Sequence, residues 1–286
     1  AGIHDDQALP QGGRGVPVTM GLDWGWEKVS FQGQGMIRYL VPPQIDDILT
    51  VTLFLKGPLM GKTGGCLSRI SQRLFGRDNG IPLVAPSQVH GTRMIEALPS
   101  TSLPARPEGD ALLVRRPGVF GSLRFSDCIP VVGISGRPRP WVLLVHSGFV
   151  GTSRGVTGEA LRETMKVTGS ASLEETHFWV GPGIGPCCYS RKLDDPMTRE
   201  GLKQLPGDSW RVEKGMAYFD LPGAIITTLY DMNVPEGNIT RIDQCTCCSS
   251  GDYYSYRKGD RTGKSFLLAG FREGFHKPGL WWENKI

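Results

Sequence analysis

The chain has 286 residues, 39% hydrophobic and 21% charged, with a net charge of +4, which is long enough to bury a substantial core as one large α/β domain or two small ones. Its Lys and Arg residues are scattered rather than gathered into a stripe, which argues against a nucleic-acid partner and leaves small phosphate-bearing molecules as the anions it would meet. Seven cysteines, four of them in the adjacent pairs Cys187-Cys188 and Cys247-Cys248, do not suit a secreted disulfide framework. With no apolar run of membrane-spanning length and no secretory leader pattern, a soluble cytoplasmic protein in a reducing compartment is expected.

In chain order, residues 1–35 are rich in Gly, with Trp24 and Trp26 as the only bulky anchors, and read as a loosely structured arm without chemistry. Residues 36–41 and 48–55 read as strands interrupted by Pro42-Pro43, so the sheet is expected to begin at Met36. The stretch 57–65 carries Gly57, Gly61, Lys62, Thr63, Gly64 and Gly65, but its first two glycines are one residue too close for a phosphate-binding P-loop. A Gly-rich turn into a helix over 66–74 is expected instead, with Leu67, Ile70 and Leu74 on one face.

Six strand-like runs follow, at 83–90, 94–98, 111–115, 119–125, 129–134 and 141–146, separated by Gly, Pro and Asp turn residues. Three of their ends carry a metal-capable side chain: His90, Cys128 and His146. Donors delivered from three separate strand ends do not make a zinc finger. They suit a catalytic site with three protein ligands and an open fourth position, held by zinc or, with the same donors, by copper. The structural alternative is a packed thiol and two hydrogen-bonded rings. The period then becomes helical over 151–167, where Val156, Ala160, Leu161 and Met165 share a face. The amides at this helix start, around Gly148 and Gly151, form an anion site beside the three donors. A strand at 177–180, the loop Gly181-Pro-Gly-Ile-Gly-Pro-Cys187-Cys188-Tyr189, a helix over 221–232 capped by Asp220, a strand at 239–242, strand-period alternation over 253–257 and a strand at 265–271 complete the chain.

Seven motifs occur in a fixed order: Gln88-Val-His90-Gly91, Gly109-Asp110-Ala111, Ser126-Asp127-Cys128-Ile-Pro-Val131, Val145-His146-Ser-Gly148, Gly181-Pro-Gly-Ile-Gly185, Cys245-Thr246 and Tyr254-Ser-Tyr-Arg257. In this the chain resembles the laccase-domain family, also called the multicopper polyphenol oxidase family and associated with purine nucleoside phosphorylase activity. The resemblance runs over residues 83–271. It implies a single α/β domain with mixed β-sheets flanked by helices, which we bound at 36–272 with a tail at 273–286, and a zinc site formed by His90, Cys128 and His146. It implies splitting of adenosine, inosine or methylthioadenosine with phosphate into base and ribose 1-phosphate, and deamination of adenosine in some members. The partners are then a small-molecule nucleoside and phosphate, with no membrane, nucleic acid or protein partner. A copper phenol oxidase ranks second, because one Cys/His₂ site lacks the several coppers that four-electron reduction of dioxygen needs.

Candidate roles follow from residue types. Asp127 and Asp110 are the carboxylates placed to shuttle protons, although strand alternation would point Asp127 away from Cys128 unless a bulge intervenes. Arg257 is the best bidentate phosphate donor, with a surface ion pair as its structural alternative. One departure stands out: where the family has His-Ala-Gly-Trp-Arg-Gly, this chain has His146-Ser-Gly-Phe-Val-Gly151, so an arginine beside the metal is lost to Val150. Arg154, one helical turn on, is the substitute that the spacing offers. The cysteine pairs are expected to be packed thiols rather than a redox pair or a second metal site. A hydrolase using Cys128 as nucleophile and a binding protein that has lost catalysis are the remaining alternatives.

Overall fold

The computed structural model describes residues 24–76, 81–137 and 139–271. The first part of the chain runs β1 (Gly25–Phe31), β2 (Gln34–Leu40), α1 (Pro43–Asp46), β3 (Leu49–Phe54), α2 (Pro58–Thr63), α3 (Leu67–Phe75), β4 (Leu83–Val84), β5 (Met94–Glu96), β6 (Ala111–Val114), β7 (Phe120–Phe125), β8 (Ile129–Ser135) and β9 (Trp141–Ser147). It continues through α4 (Phe149–Ser153), α5 (Val156–Thr168), β10 (Thr176–Val180), β11 (Ser190–Lys192), α6 (Pro196–Gln204), β12 (Trp210–Glu213), β13 (Met216–Phe219), α7 (Leu221–Asp231), β14 (Ile239–Arg241) and β15 (Ser265–Phe271).

Two six-stranded sheets, ordered β1-β2-β3-β15-β7-β4 and β14-β10-β8-β9-β6-β5, pack face to face, and a three-stranded sheet β11-β13-β12 stands beside them. Alternation of side chains explains why their central strands read as largely apolar runs. In β9, Val142 and Leu144 enter the core between the sheets, while Trp141, Leu143 and Val145 face a second core with Ala160 and Leu161 of α5 and Ile225 and Leu229 of α7. In β15, Leu267 and Ala269 face the shared core, and Phe266 and Leu268 pack under Leu59 of α2 and Ile70 and Leu74 of α3. Both faces of the central strands β8, β9 and β15 are thus covered, and all their residues are buried. Gly121 of β7 lets the first sheet approach β6 of the second; a Cβ there would lie 2.6 Å from Leu112 Cδ2.

Four expectations are corrected. The first sheet begins at Gly25, because residues 25–40 form a hairpin in which Phe31 pairs with Gln34. Its two-residue turn, Gln32-Gly33, has both φ values positive, the type that matches strand twist. Residues 1–23 and the tail at 273–286 lie outside the described residues. The run at 83–90 is a strand only over Leu83–Val84; Pro86 removes a ladder donor and His90 turns the chain at φ +58. The helix expected over 151–167 is two helices, α4 and α5, broken at left-handed Gly155. Residues 253–257 are not a strand, because carboxylates rather than a neighbouring strand take their amides: Asp260 accepts from Ser255 N and Asp127 from Arg257 N. The expected Asp220 cap is present, accepting from Gly223 N at 3.1 Å.

One crossing positions the site. The chain leaves the first sheet at the end of β7 and enters the second at the start of β8 through only Ser126, Asp127 and Cys128, with Asp127 at φ +78. β9 is antiparallel to β8, and His146 pairs with Pro130, which brings the end of β9 back to this crossing.

Candidate active site

The three expected donors meet. The ligand atoms of His90, Cys128 and His146 all lie within 4.8 Å of one another, and Cys128 Sγ is 3.9 Å from His90 Nε2. His146 and Cys128 arrive on the ends of adjacent strands, whereas His90 comes from the loop after β4. Asp110, at the start of β6 and fully buried, holds that loop: its carboxylate accepts from the backbone N–H of Val89 at 3.1 Å, His90 at 3.0 Å and Gly91 at 2.7 Å. The same carboxylate lies 2.8 Å from His146 Nδ1, so Nε2 is the free ring nitrogen. Burial opposes ionisation of Asp110, but the hydrogen bonds from His146 and the amides outweigh it and hold the carboxyl below its usual range. Burial likewise depresses His146, against the pull of Asp110, and keeps the ring neutral. Burial, reinforced by the charge of Asp127, pushes the Cys128 thiol up to about 12.

This arrangement fits a borderline-soft cation. A neutral imidazole whose second nitrogen is held by a carboxylate is the usual outer support of a metal-ligating histidine, and one thiol with two imidazoles suits zinc with an open fourth position. The space between the donors is kept by Gly148, where a Cβ would lie 2.8 Å from Cys128 Sγ and 3.0 Å from His90 Cδ2.

The other expected residues fall in different places. Asp127 does line the same cavity as Cys128, because its left-handed turn cancels strand alternation. Its oxygens, however, accept from Thr246 Oγ1 at 2.7 Å and Arg257 N at 2.8 Å, so it pins the 245–257 segment to the crossing. Arg257 makes no ion pair among the described residues. Its guanidinium donates to the carbonyls of Cys188 at 2.9 Å and Ser190 at 3.2 Å and sits over the Tyr189 ring, on the cavity wall. Gly148 is the N-cap of the five-residue α4; Gly151 lies inside that helix, packed against Val156 and the Gly91 carbonyl. Arg154 does not line the cavity at the donors: it lines a second cavity of about 710 Å³ with Glu200 and Asp231, on the other side of Phe149 and Val150.

The cavity at the donors measures about 730 Å³, within the range of small-molecule sites. Beyond Arg257, it is lined by three cations that the sequence analysis did not single out: Arg124 of β7, Arg191 of β11 and Lys264 just before β15. Arg191 is the informative one. Its guanidinium lies 4.6 Å from the Phe149 ring centre and is held by Asp195 at 2.8 Å and Thr198 Oγ1 at 3.0 Å. A cation thus stands over the residue next to Val150, supplied from a distant strand. The only sequence signal was its place two residues after the Gly-Pro loop, and no spacing rule connects it to His146.

Residues 68–272 match the family described as multi-copper polyphenol oxidoreductase laccase. The chain is 32% identical over 177 residues to the purine nucleoside phosphorylase YlmD of Geobacillus stearothermophilus, an alignment covering 59% of this chain and 62% of that protein. It is 31% identical over 193 residues to a purine nucleoside phosphorylase of Deinococcus radiodurans, covering 66% and 70%. It is 28% identical over 197 residues to the adenosine deaminase RL5 of an unknown prokaryotic organism, covering 64% and 73%. The crystal structure of YlmD from Geobacillus stearothermophilus superposes with a TM-score of 0.70 at 26% identity, covering 85% of this chain and 99% of that one. No helix among the described residues is long and apolar enough to cross a membrane. With more than half of its residues matched and the donor triad assembled in a fold of the same shape, the chain belongs to the multi-copper polyphenol oxidoreductase laccase family.

Proposed function

We propose that the chain is a metal-dependent purine nucleoside phosphorylase. The observation that carries this reading is the pairing, in one nucleoside-sized cavity, of the His90, Cys128 and His146 donors with Arg191, Arg257 and Lys264. Phosphorolysis needs both sides: an anion held beside the glycosidic bond, and a means of stabilising charge on the departing base. Three similar proteins carrying the names phosphorylase and deaminase support a purine nucleoside as substrate.

Zinc at the three donors supplies a Lewis acid with one open position, and copper is the alternative ion for the same set. The chain's own residues do the rest. Asp110 fixes the His146 ring and the His90 loop. Arg191, Arg257 and Lys264 hold the phosphate, whose oxygen bonds to the ribose carbon as the bond to the base nitrogen breaks; the phosphate proton passes to the base. Val89 and Tyr256, 49% and 54% exposed on the cavity rim, offer apolar surface to the purine. Asp127 positions Arg257 rather than shuttling protons. The seven free thiols support a reducing, cytoplasmic setting.

The test is chromatographic detection of free base from adenosine, inosine and methylthioadenosine, with and without phosphate, using zinc-loaded protein and Cys128→Ala. Phosphate-dependent release lost in the variant is expected. Inosine formed from adenosine without phosphate would make the site a deaminase, oxygen uptake with a phenol and copper would make it an oxidase, and zinc uptake with no turnover would make it a binding protein.

A further inference from the structure

Four thiols outside the cavity converge. The loop Gly181–Tyr189 and the segment after β14 run side by side: Thr246 N donates to Gly183 O at 3.1 Å, and Gly183 and Cys245 form a bridge. This places Cys187 and Cys188 opposite Cys245 and Cys248, residues some 60 positions apart in sequence. All four sulfurs lie within 4.8 Å of one another, with Cys187 Sγ 3.5 Å and Cys188 Sγ 3.4 Å from Cys248 Sγ. A disulfide requires about 2.05 Å. A tetrahedron of sulfurs at about 2.3 Å from zinc has edges of about 3.8 Å, which is the spacing the cluster brackets.

Packing, the expectation from sequence, does not account for this. Cys187 and Cys248 are exposed and Cys188 and Cys245 only half-buried; the one buried thiol of the region, Cys247, is not a member. Small hydrophobes gathered at the surface gain little from one another. Cys245 and Cys248 have the C-x₂-C spacing of zinc ligands, and the Gly185 amide points at Cys245 Sγ from 3.3 Å, a donor placed for a sulfur that carries charge.

We propose that Cys187, Cys188, Cys245 and Cys248 bind a zinc ion as a closed, structural site distinct from the His90, Cys128 and His146 centre. Four thiolates fill all four positions, each having given its proton to solvent, so no place remains for substrate. The ion fastens together two loops that both reach the cavity: Tyr189 follows Cys188 directly, and Arg257 donates to the carbonyls of Cys188 and Ser190. The inference stands whether or not nucleosides are the substrates.

Zinc-loaded protein, purified under reducing conditions, is expected to hold two zinc ions per chain by elemental analysis. Cys245→Ser/Cys248→Ser should hold one fewer, and His90→Ala/His146→Ala should keep the remaining one. Cobalt taken up by the His90→Ala/His146→Ala protein should show the intense near-ultraviolet charge-transfer bands of several thiolates, and its four clustered thiols should react with a disulfide reagent only after chelation. Should the serine variant not fold, these two measurements on protein with all cysteines intact decide the matter. A folded His90→Ala/His146→Ala protein that takes up no zinc or cobalt, an unchanged zinc content in the cysteine variant, or an intact mass revealing disulfides among the four would each overturn the proposal.

Discussion

Asp110→Asn is the substitution that most directly probes how the donor triad is held. The carboxylate accepts four hydrogen bonds, from the amides of Val89, His90 and Gly91 and from His146 Nδ1. An amide oxygen keeps two of these, and its NH₂ faces the other two donors. At about 1.5–3 kcal/mol for each of the two lost charge-assisted bonds, the cost is about 3–6 kcal/mol, or roughly 5–10 °C in Tm for a chain of this size. The freed His146 ring and His90 loop should also weaken metal binding by about 10- to 100-fold. Asp127→Asn is the matched control: its amide oxygen keeps the bond from Arg257 N and its NH₂ faces the Thr246 hydroxyl, which accepts as well as donates; it touches neither histidine, and should lower Tm less than Asp110→Asn while leaving zinc affinity within about threefold of the parent. Competition against a fluorescent zinc chelator, with thermal melts alongside, reads both quantities. Equal zinc affinities for Asp110→Asn and the parent would show that the carboxylate does not position the ligands.

The Gly148→Ala variant should remain folded by circular dichroism yet lose zinc affinity, since the added Cβ falls 2.8 Å from Cys128 Sγ; unchanged affinity would mean that the ligands relax freely. Arg191→Ala should raise the KM for phosphate by about tenfold or more, the value of one charge-assisted contact, whereas Arg154→Ala, in the second cavity, should stay near the parent; the reverse ranking would restore Arg154 as the substitute for the lost arginine. His177, stacked on Trp24, is pushed by burial down to about 4. The unfolded ring titrates near about 6.5, so between these values the unfolded chain binds the extra proton. Its contribution is therefore intact above about pH 6.5 and is lost as pH falls towards about 4, by up to about 3 kcal/mol. Urea unfolding at about pH 7 and about pH 4.5 should show a smaller drop for His177→Gln than for the parent, and equal drops would refute the assignment.

Residue order carried two of the three donors because each stands at the end of an apolar strand: Cys128 and His146 stand out against Ile129–Ser135 and Trp141–Ser147, whereas His90 lies in a loop beyond Leu83–Val84. The same contrast made the central strands legible, since covered sheet faces leave unbroken apolar runs. The hairpin at Gly25–Leu40 was not legible, because its turn is Gln-Gly rather than the commoner Asn-Gly, and its β1 faces are only half-buried.

What the sequence by itself determined is therefore the identity of the three candidate donors and the strands that carry two of them, both set by local contrast between polar and apolar residues. What only the tertiary structure decided is which charges face those ligands. Asp110 supports His146 across 36 positions, Asp127 binds Arg257 N across 130, Arg191 reaches Phe149, and Cys188 meets Cys248 across 60. A hydrogen bond or a metal ligand depends on separation in space, and a pattern read over one or two turns of chain holds no record of a partner that far away.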